Sequence, residues 1–398
     1  MPLASLFSEL HLLLEQHQSI WRANPFREHN PDWMNAYPNL AQQVVALDEE
    51  TVELLEQDPA EASKRFSPSL PDLNALIRLC QLSTLKAELP QNVDNRQFSH
   101  IPGRKWTQIA AFTASMGQPK GPVLEWCAGK GHLGRLIGQQ YQVEVTSLEW
   151  DAVLCEEGEK LAYRAALPQR FVCADALDHR AAQEVKQNQH AVALHACGDL
   201  HGQLLRHAAE QSTAALTVSP CCYHLTRNAL YQPFSISGER HNLALSREEL
   251  RIAVQETATA PKRVQRLRGK EMSYRLGYQA LVEQVAPEQR DEGVPSCKKQ
   301  RFGEGFASFC HWAAGEKGIT LPDNLDWLGL EQEGQKRWHL VRRLSLVRSL
   351  FSRPLELYLV LDRACYLEEQ GYRVTLARFT DRATTPRNLL IQAERIAL

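Results

Sequence analysis

The stretch "PVLEWCAGKGHLG" (Pro122–Gly134) decides the fold, because it reads as a buried strand that breaks into glycines and then begins a helix. Gly129, Gly131 and Gly134 fall within six residues. Glycine loses more backbone entropy on folding than any other residue, so this cluster predicts that something comes very close to the main chain. A strand, a Gly-x-Gly-x-x-Gly turn and a helix in this order are typical of a nucleotide-binding α/β sheet.

Outward from this turn, the chain after residue 104 alternates apolar strands with helical patterns. Helical spacing is clear at 132–140 and 200–211. Strands are predicted at 121–127, 142–150, 169–175, 190–198 and 214–222. Continuous apolar strands separated by helices predict a parallel sheet that is covered on both faces.

The C-terminus predicts a return to the same sheet. A helical pattern covers 356–372 and ends near Gly371, and two strands follow at 373–380 and 388–396. Only "DRATTPR" separates these strands, which is too short for a helical crossover, so we expect them to pair antiparallel.

The remaining sequence is mainly helical. Helices are predicted in the first 16 residues, at 39–57 and at 70–85, and the turn-rich segment 90–103 predicts a boundary. The sequence thus predicts four segments: a helical N-terminal domain (1–100), an α/β core (101–224), a mainly helical basic insertion (225–353) and the C-terminal part of the core (354–398).

Composition narrows the class of protein. A chain of 398 residues with 43% hydrophobic content can bury a large core. Ten cysteines without regular spacing, and no secretory leader, predict reduced thiols in a cytoplasmic protein. No apolar run approaches the ~18 residues that a membrane span needs, so no membrane partner is expected.

Three carboxylates near the glycine turn indicate which kind of nucleotide ligand it binds. Glu149 ends the second strand, 18 residues past Gly131, where a carboxylate can accept both hydroxyls of a ribose. Glu125 precedes the turn and would repel a pyrophosphate, whereas the cationic sulfonium and ammonium of S-adenosylmethionine (SAM) tolerate it. Asp175, in "CADAL", can accept from an adenine amino group. The set therefore favours SAM over a nicotinamide dinucleotide.

These motifs resemble a known family. "LEWCAGKGHLG" resembles motif I of SAM-dependent methyltransferases, particularly the branch whose motif reads (E/D)-x-x-A-G-K-G. "LHACGDL" (194–200) and "SPCCYH" (219–224) resemble two further motifs of that branch, and "RKWTQIA" (104–110) resembles its basic leading helix. The branch includes methyltransferase-like-25 type proteins and a tRNA acceptor-stem ribose methyltransferase. The resemblance covers about half of the chain, and Cys127 stands where many methyltransferases have glycine.

The resemblance implies a Rossmann-like methyltransferase sheet with SAM as cofactor. By position, Glu149 would hold the ribose, Asp175 the adenine, and His195 and Cys197 would flank the methyl donor. The methionine part would contact Glu125, Ala128, Gly129 and Gly131. The expected cofactor-binding set also includes Cys127, Lys130, Trp150 and Ala176.

Three interpretations compete for the cysteines and histidines that follow the fourth and fifth strands. In the first, the cysteines pack in the core while Tyr223 and His224 shape the pocket. The second is a zinc site, but adjacent cysteines are poor partners on one ion, so no metal is predicted. The third is covalent catalysis by a cysteine thiolate, with Cys222 as the nucleophile.

Direct in-line transfer is the preferred mechanism, since it requires only that the methyl donor and the acceptor be aligned and water excluded. Asp199 or His224 would take the proton of the acceptor. Asp199 could equally be an N-cap for the helix that begins near Leu200. The candidate catalytic residues are therefore Asp199, Cys222, Tyr223 and His224.

The acceptor is expected to be RNA because the positive charge is concentrated. Residues 1–100 carry 7 Lys and Arg against 14 Asp and Glu, whereas 335–353 carries six basic residues and no acid. A second basic segment covers 260–275, and Tyr274, Trp338 and His339 could stack on bases. A solvated basic face, a protein or small-molecule acceptor and a non-catalytic SAM-binding module remain alternatives. No obligatory protein partner is expected.

Overall fold

The computed structural model describes residues 2–85, 101–254 and 262–396. These residues fall into two compact units. The first unit comprises Met1–Glu15, Leu76–Gln255 and Ser352–Leu398, and the second comprises Gln16–Ala75 and Glu256–Phe351. Each unit is therefore assembled from segments that are distant in the sequence.

A seven-stranded sheet forms the centre of the first unit, in the order β3-β2-β1-β4-β5-β7-β6. The first five strands pair parallel, and β7 pairs antiparallel with both β5 and β6. The strands are β1 (Val123–Trp126), β2 (Val145–Glu149), β3 (Gln169–Cys173), β4 (His190–Cys197), β5 (Ala215–Cys221), β6 (Tyr372–Arg378) and β7 (Leu389–Arg395). The predicted α/β fold, with parallel strands and a C-terminal antiparallel hairpin, is confirmed.

Helices make up most of the remaining described structure. In chain order they are α1 (Leu3–Gln16), α2 (Gln18–Arg22), α3 (Trp33–Ala36), α4 (Pro38–Val45), α5 (Glu49–Gln57), α6 (Pro59–Phe66), α7 (Leu73–Leu79), α8 (Gly103–Met116), α9 (His132–Tyr141), α10 (Ala152–Arg164), α11 (His179–Ala182), α12 (Asp199–Glu210), α13 (Ile236–Arg240), α14 (Arg247–Leu250), α15 (Lys262–Val285), α16 (Phe306–Lys317), α17 (Trp327–Ser349) and α18 (Ser352–Glu369). Short 3-10 helices lie at Ile252–Val254, Pro287–Glu292 and Lys299–Gly303.

The sheet is buried because helices cover it. Every residue of β1, β2 and β5 is buried, which explains why these strands read as continuous apolar runs. On the side of α8 and α9, Phe112, Leu136 and Ile137 pack with Leu390 of β7. The carboxyl ends of β1 to β5 then lie along one edge of the sheet, and β1 and β4 meet where the strand order reverses. Ligands of open α/β sheets bind at such an edge.

The second unit is helical, and α15 packs closely along α17. Gly334 of α17 permits this approach, since a Cβ at that position would meet the backbone nitrogen of Gly277 at 2.7 Å. Tyr274, Phe306 and Phe309 share an apolar cluster beside this contact. The unit thus has a core of its own.

Ion pairs connect acidic residues of the N-terminal helices with arginines of the basic segment 335–353 within the second unit. The guanidinium of Arg342 donates to Glu49 at 2.6 Å and to Glu56 at 2.7 and 2.9 Å. Arg343 donates to the Leu47 carbonyl, 2.8 Å away. The structure therefore differs from the predicted division, since it joins residues of 1–100 with residues of 225–353 in one unit.

Local boundaries also differ from the predictions. The helix expected at 39–57 is two helices, because the carboxylate of Asp48 accepts from Thr51 N and starts α5 separately. The helix expected at 70–85 extends only over Leu73–Leu79. Most of the predicted boundary at 90–103 lies outside the described residues, which resume at residue 101.

Among the residues that the structure describes, no helix combines the length and the apolar character that crossing a membrane requires.

Candidate functional site

The glycine turn joins β1 to α9 through three residues with left-handed backbone. Cys127, Gly129 and Gly131 have φ values of 57°, 56° and 64°. The amide nitrogen of Ala128 still donates to the Leu148 carbonyl of β2, 2.9 Å away, so the turn begins directly at the end of the sheet. Left-handed backbone strains a non-glycine residue, and Cys127 bears that strain.

The three glycines of the turn serve different purposes. A Cβ on Gly131 would meet the Phe171 ring at 2.5 Å, and one on Gly134 would meet Glu125 Oε2 at 2.5 Å. A Cβ on Gly129 would meet no atom within 4 Å. Gly131 and Gly134 are therefore required by packing, whereas Gly129 presents bare main chain on the open side, where a ligand can approach.

Glu149 connects the end of β2 to the glycine turn. Its Oε2 accepts from the amide of Gly129 at 2.8 Å, and its Oε1 accepts from the amide of Asp151 at 3.1 Å. The side chain is 6% exposed. Each carboxylate oxygen has a second lone pair, so Glu149 can still accept from ribose hydroxyls beside the turn.

The neighbouring strand end presents an aromatic ring and a second carboxylate. Trp150, directly after β2, is 75% exposed. Asp175, after β3, is exposed and accepts from Leu177 N at 2.9 Å, while Ala176 is buried. The thiol of Cys173 donates to the Trp150 carbonyl, which ties these two strand ends together. A flat base can be held at this corner by stacking and by a hydrogen bond.

Glu125 and Lys130 make other contacts than those expected of cofactor ligands. The carboxyl of Glu125 accepts from Ser147 Oγ at 2.6 Å and from the amide of Gly134, and burial raises its pKa to about 7. Lys130 pairs with Glu157 of α10 at 2.5 Å. Direct contact of Glu125 with the methionine part stays a prediction, since its contacts here fix the start of α9.

His195 lies on an irregular segment of β4. Its φ is 72°, and the pairing register with β5 shifts between Leu194 and Cys197. The ring Nε2 lies 2.9 Å from the side-chain oxygen of Gln108 on α8. Desolvation and then the positive charges of Arg387 and Lys105 hold the pKa of His195 below its usual value.

Gln108 and Arg387 were missed as candidate site residues. One signal for Gln108 is present in the sequence, because this residue lies in the basic segment 104–110 that precedes the glycine turn. Arg387 lies before β7, in a segment that sequence reasoning treated only as a short connection. Its nearness to β4 follows from the sheet order, which places β7 beside β5.

The ends of β4 and β5 bring three cysteines together. The Sγ atoms of Cys197 and Cys221 lie 3.5 Å apart, and those of Cys197, Cys221 and Cys222 all lie within 4.8 Å of one another. Thiol hydrogen bonds from Cys197 and Cys221 lower the pKa of Cys222, and Arg387 adds to this effect. Cys222, like Cys127 and His195, has a positive φ, of 47°.

Asp199 begins α12 and holds the loop that follows β5. Its Oδ2 accepts from the amide of Arg227 at 2.8 Å, and its own amide donates to the Leu225 carbonyl at 3.0 Å. The N-cap position of α12 belongs to Gly198. The N-cap alternative for Asp199 is therefore wrong, and the carboxylate is oriented by the loop instead.

Tyr223 and His224 are placed differently. Tyr223 is 2% exposed, packs against the ring of His201 and lies beneath the guanidinium of Arg363 at 5.1 Å. This position suits packing, and burial raises its pKa well above the usual value. His224 is half-buried, and its Nδ1 lacks a hydrogen-bond partner among the described residues.

The comparison with protein families bears on this region. Residues 104–229, about a third of the chain, match the family model described as "Methyltransferase domain". The match includes the glycine turn, Glu149, Asp175 and both cysteine motifs. Residues 104–229 are therefore similar to a methyltransferase domain.

Several solved structures are similar to part of this chain. Geranyl diphosphate C-methyltransferase from Streptomyces coelicolor is 12% identical, with 34% of this chain and 53% of that chain covered and a TM-score of 0.26. M. jannaschii TYW2 is 12% identical, with 30% and 52% covered and a TM-score of 0.25. M. capricolum TrmK is 10% identical, with 30% and 52% covered and a TM-score of 0.24. The chain spans about half of the length of each.

The basic segment 335–353 was expected to contact RNA, but several of its arginines bind other parts of the protein. Arg342 and Arg343 are occupied by acids and a carbonyl of the N-terminal helices, and buried Arg348 donates to the Trp21 carbonyl at 2.9 Å. Tyr274 is also buried, so it cannot stack on a base. By contrast, the side chains of 263–268 on α15 are exposed. Arg263, Arg266 and Arg268 therefore form an exposed basic surface on α15.

Proposed function

We propose that this protein transfers a methyl group from SAM to RNA. The observation that carries the SAM part is the hydrogen bond from Gly129 to Glu149, which joins bare main chain to a buried carboxylate at the end of β2. The residues fit the cofactor: Glu149 accepts from the ribose hydroxyls, and Asp175 and Trp150 hold the adenine. When bound there, SAM supplies a methyl group activated by its sulfonium.

The protein's own residues align the acceptor and take up its proton. Asp199 lies just after β4, and the Arg227 amide fixes one of its carboxylate oxygens. We infer that the other oxygen accepts the proton that the acceptor loses as its bond to the methyl group forms. A positioned base of this kind contributes roughly 10² to 10⁴ in rate.

Positive charge at the same edge of the sheet supports RNA as the acceptor. Arg104 and Lys105 are exposed at the start of α8, and the charges of Lys105 and Arg387 act on His195 at the end of β4. Phosphates of RNA would meet these cations next to the reacting atoms. The exposed basic side chains of α15 offer a further phosphate-binding surface on the second unit. This favours the branch that contains the tRNA ribose methyltransferase.

Incubation with radiolabelled SAM tests the proposal. RNA and protein fractions from cells that lack the protein would be mixed with the full chain, and label should enter RNA and fall steeply with added salt. Lys105→Ala should weaken RNA labelling while leaving SAM binding unchanged. The matched control is Lys160→Ala, another exposed lysine near a helix end, paired with Glu156.

Other outcomes would contradict the acceptor, the turnover or the base in this proposal. Label in protein or in small molecules would overturn the RNA acceptor but not the SAM site. SAM bound in calorimetry but never consumed with any fraction would reduce the domain to a binding module. Asp199→Asn that retains the full rate would exclude the proposed base.

A further inference from the structure

The three thiols at the ends of β4 and β5 have no part in the proposed methyl transfer. Cys197 and Cys221 are partners in the strand register, with Sγ atoms 3.5 Å apart. Cys222 completes a group whose Sγ atoms lie within 4.8 Å of one another. Among the residues that the structure describes, this is the one group of metal-binding side chains so closely spaced.

The backbone explains how two consecutive cysteines can face the same point. Successive side chains of a strand point to opposite faces, so adjacent cysteines are ordinarily poor partners on one ion. Cys222 leaves the strand with a φ of 47°, which turns its side chain back toward that of Cys221. The register shift between Leu194 and Cys197, with His195 at a φ of 72°, brings Cys197 opposite Cys221.

We propose that Cys197, Cys221 and Cys222 bind one Zn²⁺ ion as thiolates. In a tetrahedral site with Zn–S bonds of about 2.3 Å, the sulfurs lie about 3.8 Å apart. The observed spacings of 3.5 Å and at most 4.8 Å bracket that value. Each thiol releases its proton to solvent on binding. Three protein ligands leave the fourth position open, as in zinc sites that act on a bound molecule.

A disulfide is the main competing fate of the pair Cys197 and Cys221. Its formation needs an oxidant, the loss of two hydrogens and an approach of the sulfurs to about 2.05 Å. A disulfide also leaves Cys222 unexplained, whereas a zinc ion uses all three sulfurs. The geometry therefore favours the metal.

Metal content tests the proposal on the full chain. Protein purified from zinc-supplemented cells under reducing conditions should contain one zinc ion per chain. Inductively coupled plasma mass spectrometry measures this content. Cys197→Ser and Cys222→Ser should lose the ion, whereas the control Cys297→Ser, at a half-buried cysteine outside the cluster, should keep it. Replacement by Co²⁺ should give thiolate charge-transfer absorption that the two cluster variants lack.

Two controls keep the result interpretable. Circular dichroism should show that the serine variants are folded, and SAM calorimetry on them reports the cofactor site separately, so failure of one proposal does not imply failure of the other. The zinc site is overturned if reduced wild-type protein neither carries nor takes up zinc. Retention of zinc by Cys222→Ser, or a Cys197–Cys221 disulfide in protein isolated with its thiols blocked, would also overturn it.

Discussion

Exchange of Gly129 for alanine should separate folding from cofactor binding. Both Gly129 and Gly131 have left-handed backbone, with φ values of 56° and 64°. The space around their Cβ positions differs, since Gly131 faces the Phe171 ring at 2.5 Å and Gly129 faces no atom within 4 Å. Gly129→Ala therefore adds backbone strain only, whereas Gly131→Ala adds strain and a clash with a neighbouring strand.

The magnitudes follow from these surroundings. Left-handed alanine costs roughly 1–2 kcal/mol, and this is the whole expected loss of unfolding free energy for Gly129→Ala. Overpacking adds about 1–3 kcal/mol, so Gly131→Ala should lose roughly 2–5 kcal/mol. The new methyl of Gly129→Ala projects to the open side, where SAM would meet the main chain. SAM affinity should fall at least tenfold, about 1.4 kcal/mol.

Urea unfolding and SAM calorimetry measure the two quantities. Gly129→Ala should shift the urea midpoint slightly and weaken SAM binding clearly, while Gly131→Ala should show the larger shift of the midpoint. The reasoning is refuted if Gly129→Ala binds SAM like the wild type. It is also refuted if Gly129→Ala is the less stable of the two variants, because no clash at that position could account for the loss.

Three further predictions concern charge. The pKa of Glu125 is raised from 4.5 to about 7, so unfolding free energy should fall by roughly 3 kcal/mol as pH rises through that window. Glu125→Gln, which can still accept from Ser147, should make the unfolding free energy nearly independent of pH in this window. Urea unfolding at about pH 5 and about pH 8 measures this, and a variant with the same pH dependence as the wild type would show that Glu125 is not the cause. Arg342→Gln should lower stability by about 1–3 kcal/mol, because Glu56 loses its partner, yet leave RNA binding intact. Arg268→Glu, on the exposed face of α15, should leave stability unchanged and weaken RNA binding in filter-binding assays.

The strands of the sheet could be predicted because each is a short apolar run set off by turn residues. All seven predicted strands exist, and the observed bounds lie within a few residues of those expected; Val123–Trp126, for example, falls inside 121–127. The antiparallel pairing of β6 and β7 followed from the length of their connection alone. Local pattern and loop length were sufficient for these features, since neither depends on distant partners.

The acidic partners of the basic segment 335–353 could not be predicted from the sequence. Arg342 donates to Glu49 and Glu56, which lie nearly 300 residues earlier. Part of the positive charge at 335–353 and part of the negative charge at 1–100 are paired with each other, because Arg342 and Arg343 contact Glu49 and Glu56. Charge asymmetry along a chain predicts a polyanion partner only where the charges remain exposed.

Backbone strain separates the ligand edge of the sheet from ordinary turns. Seven non-glycine residues of the described chain have positive φ. Gln142, Ala166 and Ser212 directly follow α9, α10 and α12 or lie one residue beyond, where left-handed residues commonly end helices. Ala244 lies in a loop, where its amide donates to the side chain of Asn242. Cys127, His195 and Cys222 have no such explanation: they fall at or just after the carboxyl ends of β1, β4 and β5.

Strain of this kind persists only where the surrounding structure holds it, and it concentrates at binding and catalytic sites. The strained residues at β1 and at β4 and β5 lie on the two sides of the point where the strand order reverses, beside the glycine turn and beside the thiol cluster. Cys127→Gly, which removes the strain without adding atoms, should therefore leave SAM binding intact. Cys222→Gly should abolish the convergence of thiols along with the strain. If Cys222→Gly still bound zinc, the strained backbone at this edge would not serve to bring the thiols together.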